Sequence, residues 1–193
     1  MILRTRRVGA GSCSSAARGA IFVHVFVLGI DPGLTRCGYC VLRVPADVGG
    51  RAGAVALGVI RTAPADPVHQ RLGELQRELR ALIAEYPPSV LAIERVLFQV
   101  NVSTAMSVGQ VTGIAMAEAA NAGCEVVQYS PNEVKSAVAG WGGADKLQVQ
   151  QMVQTLLGLR ELPQPADAAD AAALALCHLA MAPMHTALAG RDR

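Results

Sequence analysis

Two acidic residues directly follow apolar runs that predict buried strands. Asp31 follows the run 25–30, and Glu94 follows the run 90–93. If these strands are parallel neighbours joined by the intervening helix, both carboxylates lie at one edge of a sheet, where ligand sites of such sheets form. An acid in that position is costly to bury alone and is tolerated when it ligates a cation. For Asp31, which precedes Pro32 and Gly33, a turn or helix-cap role is the alternative.

Two further acids, Asp167 and Asp170, lie three residues apart and share one face of a predicted helix. They are the first acids of an otherwise uncharged segment, so solubility does not explain them, although capping the helix is an alternative role for Asp167. Four carboxylates from three segments repel one another unless cations lie between them. Hard divalent ions, Mg²⁺ or Mn²⁺, fit such oxygen donors. Two such ions about 4 Å apart can activate a water and stabilise the leaving oxygen in phosphodiester cleavage.

The elements that must position these acids form an α/β pattern. Apolar periodicity and turn residues predict strands over 25–30, 37–44, 54–61, 90–93 and 125–129, and helices over 68–86, 101–123, from Ser130, 145–157 and 167–181. A three-strand meander followed by crossover units predicts a five-stranded mixed sheet with helices on both faces. The charged residues of helix 68–86, Arg71 among them, predict a solvated face.

Length and charge set further bounds. The 193 residues fit one domain, and no apolar run approaches the roughly 20 residues needed to span a bilayer. The formal net charge of +2 arises from four arginines in residues 1–24, because the remaining chain has 13 basic and 15 acidic residues. Composition therefore does not indicate a nucleic-acid partner. Residues 1–24 are expected to be a disordered or mis-started extension, and 184–193 a flexible tail.

The five cysteines are odd in number and scattered, which favours buried free thiols in a reducing, cytoplasmic protein. Cys37 and Cys40 have the spacing of a zinc or redox pair, but they fall inside a predicted strand and no second pair follows. Helix 101–123 is weakly polar, and its Gly109 and Gly113, one turn apart, would let another helix approach closely. Such a helix is either central to the fold or part of a subunit interface.

An ordered set of motifs resembles the RuvC Holliday junction resolvases over about residues 25–183. The motifs are Ile-Asp-Pro-Gly-Leu-Thr-Arg-Cys-Gly at 30–38, Ala-Ile-Glu-Arg-Val at 92–96, Asn101, Gly109-Gln110, Pro-Asn-Glu-Val-Lys at 131–135, Lys146-x-x-Val149 and Ala-Asp-Ala-Ala-Asp-Ala at 166–171. The resemblance implies an RNase H-like nuclease domain and a homodimer that cuts a four-way DNA junction by paired symmetrical nicks. It also implies RuvA and RuvB as partners, and no membrane.

Site residues follow from the same resemblance by position. Asp31, Glu94, Asp167 and Asp170 would be the catalytic acids and would bind Mg²⁺, two ions per subunit, with Mn²⁺ as a substitute. Lys135 and Lys146 match the family's functional lysines and would hold DNA phosphates. They are the only lysines in the chain, beside fifteen arginines.

One position departs from the family pattern. The family often has a base-stacking Phe three residues after the glutamate, where this chain has Leu97, and Phe98 follows. Phe98 would take over that stacking on DNA, or lie in the core. His178, eight residues beyond Asp170, is expected to be a packed or surface histidine rather than a ligand.

Two other functions fit part of the pattern. A sugar-kinase or actin-like ATPase shares a strand followed by Asp-x-Gly, but it needs a second glycine-rich phosphate loop and a larger chain. A non-catalytic junction-binding protein of the same fold is the alternative from a different class. The intact set of four acids speaks against it, and metal-dependent cleavage would separate the two.

Overall fold

The computed structural model describes residues 25–45, 50–96 and 102–189 of the chain. Within these ranges the elements follow the order β1 (Val25–Asp31), β2 (Arg36–Val44), β3 (Gly53–Arg61), α1 (Val68–Glu85), β4 (Val90–Glu94), α2 (Val102–Asn121), β5 (Glu125–Tyr129), α3 (Pro131–Ala139), α4 (Lys146–Leu157) and α5 (Ala166–Ala189). The predicted order of strands and helices is confirmed.

The strands form one mixed sheet in the order β3-β2-β1-β4-β5. β1 and β2 pair antiparallel, as do β2 and β3, whereas β4 is parallel to both β1 and β5. The meander and the parallel pairing of the two acid-bearing strands are therefore confirmed. Ile30 pairs with Ile93, so β1 and β4 end side by side.

Helices cover both faces of the sheet. Successive residues of a strand point to opposite faces, so the side chains of β1 contribute to two separate cores. Leu28 and Ile30 of β1 pack in one core with Leu75 and Leu79 of α1 and with α2. Val27, on the opposite face, packs in a second core with residues of α3, α4 and α5. Even-numbered residues of β1 therefore pack against α1 and α2, and odd-numbered residues face α3, α4 and α5.

Two glycines allow α5 to lie directly against the sheet. A Cβ added to Gly29 of β1 would overlap the backbone carbonyl oxygen of Ala171 in α5. A Cβ added to Gly38 of β2 would lie 2.6 Å from the carbonyl carbon of Asp167. Real Cβ atoms essentially never approach another atom that closely, so this packing requires glycine at both strand positions.

Helix α5 ends at Ala189, eight residues beyond the predicted end at Met181. The predicted end at Met181 is wrong because the helix continues through Pro183. Proline removes one backbone hydrogen bond from a helix interior, but the alanine-rich flanking residues favour helix and the element continues past it. No helix in the described part of the chain is long and apolar enough to cross a membrane.

Two other predictions have clear outcomes. Cys37, Cys40, Cys124 and Cys177 are buried thiols without disulfides, as predicted, whereas Cys13 lies outside the described residues. Cys37 and Cys40 pack in different cores on opposite faces of the sheet, so they cannot ligate one ion. On α2, a Cβ at Gly109 or Gly113 would meet no atom of the described chain within 4 Å, so none of the other described helices packs closely against these two positions.

Candidate active site at the carboxyl edge of the sheet

Asp31 and Glu94 end neighbouring parallel strands on the face of the sheet that α5 covers. Asp31 has the same parity as Val27 and Gly29, and Glu94 the same parity as Ala92, which packs against α5. Burial first, and then the three neighbouring carboxylates, raise the pKa of Asp31 to about 7. Burial and then the charge of Asp170 raise the pKa of Glu94. Both groups therefore lie where a negative charge is unfavourable unless a cation compensates it.

Asp167 and Asp170 lie in the first two turns of α5, which Gly29 and Gly38 allow to approach this edge. Each carboxylate accepts a charge-assisted hydrogen bond. Arg36, the first residue of β2, donates its Nε and Nη2 to Asp167 Oδ2 at 2.9 Å and 2.6 Å. Lys146 Nζ lies 2.7 Å from Asp170 Oδ2. The two cationic side chains partly compensate the charge of the four acids.

The two lysines lie on helices that pack against α5, Lys146 at the start of α4 and Lys135 in the middle of α3. Asp145 caps α4 through a capping box with Gln148, so Lys146 is the first residue of that helix and reaches Asp170. The hydrogen bond to Asp170 is the main cause that raises the pKa of Lys146. Ser130 caps α3 in the same way, as its sequence predicts, and Lys135 follows on α3.

A cavity of about 290 Å³ joins these residues. Glu94, Asp170, Lys135 and Lys146 all line it. The structure thus brings both predicted lysines together with two of the four predicted acids. Asp31 and Asp167 lie beside this group, since the pKa of Asp31 responds to the charges of Glu94, Asp167 and Asp170.

The donor chemistry fits a hard divalent cation, but the side chains are not gathered around one point. In the part of the chain that the structure describes, no three His, Cys, Asp or Glu side chains are grouped closely enough to hold one metal ion. Asp167 and Asp170 are instead held by Arg36 and Lys146. A divalent ion held by these two acids would compete with the two cationic side chains for their carboxylates. The mutual repulsion that raises the pKa of Asp31 favours binding of the ion.

Sequence reasoning missed Arg36 as a site residue. It lies within the first motif, five residues after Asp31, but nothing local indicates that its partner is 131 residues away. The relevant signal is a charged residue at the start of a strand whose interior is wholly buried.

Arg71 of α1 is buried, with 8% of its surface exposed, so its assignment to a solvated face is wrong. Its Nε donates to Thr62 Oγ1 at 2.9 Å and its Nη2 donates to Thr35 Oγ1 at 2.7 Å. Thr62 Oγ1 in turn donates to the carbonyl oxygen of Leu34 at 2.6 Å. This network holds the turn that separates Asp31 from Arg36, which makes Arg71 a positioning residue for the site.

Two further predicted positions, Phe98 and His178, have different outcomes. Phe98 and Leu97 are outside the described residues, so the predicted stacking role of Phe98 stays a prediction. His178 is buried and its Nδ1 lies 2.9 Å from the hydroxyl of Tyr129, which confirms a packed histidine. Because Tyr129 ends β5 just before α3, this contact joins the middle of α5 to the strand end from which α3 follows.

Comparison with known proteins matches the chain to one family throughout its described core. The family model for "Crossover junction endodeoxyribonuclease RuvC" matches residues 27–178, a range that contains all four acids and both lysines. The crossover junction endodeoxyribonuclease RuvC of Clavibacter michiganensis subsp. michiganensis is 52% identical over 151 residues, which cover 78% of this chain and 74% of that relative. The one from Corynebacterium diphtheriae is 50% identical over 157 residues, which cover 81% and 95%.

A solved structure agrees with the fold. The structure of T. thermophilus RuvC in complex with Holliday junction substrate has a TM-score of 0.78 and 36% sequence identity to this chain. The match covers 84% of this chain and 98% of that chain. The predicted RNase H-like fold, a five-stranded mixed sheet flanked by helices, is confirmed.

An RNase H-like sheet whose carboxyl edge carries a cluster of acids defines a class of metal-dependent nucleases. Within that class, the chain belongs to the RuvC family of crossover junction endodeoxyribonucleases.

Proposed function

We propose that this chain resolves four-way DNA junctions by hydrolysing one phosphodiester bond in each of two strands. The observation that supports this most is the convergence of four carboxylates from β1, β4 and α5 beside two lysines. Family membership supports the same reaction. In the hydrolysis, a water oxygen bonds to phosphorus, the bond from phosphorus to the leaving oxygen breaks, and the leaving oxygen takes up a proton.

Asp31, Glu94, Asp167 and Asp170 would hold the divalent ions, which we propose to be two Mg²⁺ per subunit, with Mn²⁺ as a substitute. When bound, such ions lower the pKa of water and compensate charge on the leaving oxygen. The carboxylates fix the ions at the strand ends, and their rigid placement on two strands and a helix orients the scissile phosphate. The oxygen donor set and the raised pKa of Asp31 support this assignment.

Lys135 and Lys146 would hold the scissile phosphate or its neighbours. A lysine ammonium is a compact phosphate partner with three donors. The side chain of Lys146 is 61% exposed. Its ammonium group can therefore move from Asp170 to a phosphate when Asp170 binds a metal ion. Lys135 lines the same cavity from α3, so the phosphate would be bound by one lysine from α3 and one from α4.

Paired symmetrical nicks require two identical sites related by a two-fold axis, so we propose a homodimer. We further propose RuvA and RuvB as partners, from the family resemblance, and a cytoplasmic location, which the buried free cysteines support. The nuclease domain would begin near residue 25, with residues 1–24 as an extension that the chemistry does not need.

A cleavage assay on a synthetic four-way junction tests the proposal, with linear duplex of the same sequence as the matched substrate. With Mg²⁺ we expect symmetrical nicks in the junction only, and with EDTA we expect none. Asp31→Asn protein purified in parallel controls for a contaminating nuclease. Binding without cutting, across several metals and junction sequences, would favour the non-catalytic junction-binding protein. An absence of junction binding would overturn the proposed function.

A further inference from the structure

Two arginines lie directly opposite each other where β2 begins and β3 ends. The sheet register pairs Arg36 with Arg61, so both side chains project from the same face of the sheet. That face is the one that α5 covers, because Gly38, two residues along β2, packs against the backbone of Asp167. Both arginines are exposed. This arginine pair, Arg36 and Arg61, therefore lies beside the acids at the same edge of the sheet.

The arginine pair carries more positive charge than its neighbours compensate. Like charges that lie directly opposite each other on adjacent strands repel and destabilise the sheet. Asp167 accepts from Nε and Nη2 of Arg36 and so compensates one of the two charges. In the part of the chain that the structure describes, the guanidinium of Arg61 forms no ion pair or hydrogen bond. An anion bound between the two arginines would remove this repulsion.

A buried network on the opposite face of the sheet holds the backbone that carries the pair. Arg71 of α1 donates to the hydroxyls of Thr35 and Thr62, which are the chain neighbours of Arg36 and Arg61. The backbone nitrogen of Thr62 also donates to the carbonyl oxygen of Thr35 at 3.3 Å. The two strand ends are therefore fixed together before any ligand binds, which reduces the ordering cost of binding one.

We infer that Arg36 and Arg61 together bind a backbone phosphate of the DNA that neighbours the scissile phosphate. A guanidinium presents several donors in one plane and suits the oxygens of a phosphate. Asp167 engages Nε and Nη2 of Arg36, whereas Nη1 makes no hydrogen bond to the described residues. Arg36 can therefore contact a phosphate through Nη1 while it holds Asp167, and Arg61 can turn all of its donors to the same phosphate.

The inference rests on the proposed function, because cleavage requires DNA to reach the acids at this edge. Lys135 and Lys146 line the cavity that adjoins Glu94 and Asp170. The arginine pair lies in the other direction along the sheet, because β2 and β4 lie on opposite sides of β1. A strand that crosses the acids would thus be held on the α3 and α4 side by the lysines and on the β2 and β3 side by the arginines.

The salt dependence of junction binding tests the inference. Arg61→Gln removes one guanidinium without breaking a contact of the described fold, and Arg43→Gln is the matched control. Arg43 is exposed on the same strand as Arg36 but lies near the opposite edge of the sheet. Binding of an intact four-way junction is measured in EDTA between about 50 mM and 200 mM salt. We expect Arg61→Gln to bind about 10-fold or more weakly at the lower salt concentration.

The slope of log K against log[salt] reports the number of phosphate contacts directly. It should become shallower by about 0.9 for each contact that Arg61→Gln loses, and Arg43→Gln should keep the wild-type slope. Arg61→Lys retains the charge without the planar fork, so its slope should match the wild type while its affinity lies between those of the wild type and Arg61→Gln. The melting temperature of Arg61→Gln should equal or exceed the wild-type value, because the repulsion with Arg36 is gone.

Neutral methylphosphonates, placed one at a time on either side of the scissile phosphate, locate the phosphate that the pair binds. One position should weaken junction binding by the wild type and by Arg43→Gln. The same position should have little effect on Arg61→Gln or Arg36→Gln, because these variants have already lost the contact.

The outcomes separate this inference from the proposed function. An unchanged salt slope in Arg61→Gln, or equal methylphosphonate sensitivity in Arg61→Gln and the wild type, would overturn the phosphate subsite while wild-type cleavage of the junction still supports a resolvase. A wild-type protein that neither binds nor cuts the junction would overturn the proposed function itself.

Discussion

Gly38 is the position where the sheet touches the acid-bearing helix, and Gly38→Ala tests whether that contact sets the geometry of the site. The added Cβ would lie 2.6 Å from the carbonyl carbon of Asp167, whereas ordinary van der Waals contact begins at 3.4 Å. The obstructing atoms are backbone, which cannot rotate away. Helix α5 or strand β2 must therefore move by at least 0.8 Å at the very residue that carries one of the four carboxylates.

That displacement sets the expected size of the effect. A misplacement of about 1 Å in a catalytic arrangement costs on the order of 10²-fold in rate. Overpacking a well-packed core costs about 1–3 kcal/mol in the free energy of unfolding. For a chain of this length, such a loss lowers the melting temperature by roughly 2–12 °C. We therefore expect Gly38→Ala to remain folded at 25 °C and to cleave junctions about 100-fold more slowly.

Gly53→Ala is the matched control, because it makes the same substitution in a strand of the same sheet. A Cβ at Gly53 would meet no atom of the described chain within 4 Å, so this variant should keep the wild-type rate and stability. The assay measures single-turnover cleavage of a four-way junction at saturating protein, with junction binding in EDTA and thermal melting in parallel. A folded Gly38→Ala protein that cuts within about threefold of the wild-type rate would refute the reasoning. So would an equal loss in Gly53→Ala.

The remaining predictions concern charges. Asp31→Asn and Asp170→Asn are each expected to abolish cleavage but not junction binding in a mobility-shift assay, and wild-type cutting by either variant would remove that acid from the site. Because the pKa of Asp31 is raised from 3.8 to about 7, the folded state retains a proton that the unfolded chain has lost between these pH values. The melting temperature in EDTA should therefore fall as pH rises through that window, and Asp31→Asn should remove this dependence; an unchanged pH profile contradicts the assignment. Glu118 is only 5% exposed, and its pKa is lowered from 4.5 to about 2, mainly by hydrogen bonds from Arg80. The ionised carboxylate therefore stabilises the fold above pH 4.5, and this contribution is lost as pH falls towards 2. Glu118→Gln should lower the melting temperature at pH 7 and flatten the acid side of the profile. Lys135→Ala would remove the proposed hydrogen bond to a DNA phosphate, and a hydrogen bond to a charged group is worth about 1.5–3 kcal/mol. The cleavage rate should therefore drop about 10- to 100-fold with little change in melting temperature; unchanged turnover would make Lys135 a surface residue.

The element order and the helix caps could be predicted from the sequence because they depend on local patterns. Apolar periods of two and 3.6 residues separate strands from helices, and Ser130 and Asp145 begin helices through contacts within four residues. The parallel pairing of β1 with β4 was also accessible, since helix α1 follows the three-strand meander and returns the chain to the free side of β1. Only the end of α5 was misplaced, because Pro183 weakens a helix locally while its neighbours continue it.

By itself, then, the sequence determined the family, the order of the elements and the acids that end β1 and β4. Only the tertiary structure decided that Asp167 is paired with Arg36, that Arg71 is buried against a turn, and that a cavity joins both lysines to two of the acids. The physical reason is that these features depend on contacts between distant segments. Gly29 and Gly38 allow β1 and β2 to approach α5, more than a hundred residues away, and Arg71 meets Thr35 of the turn after β1. Local sequence patterns predict whether a segment is a helix or a strand. Which side chain pairs with a charged residue depends on the tertiary packing around it.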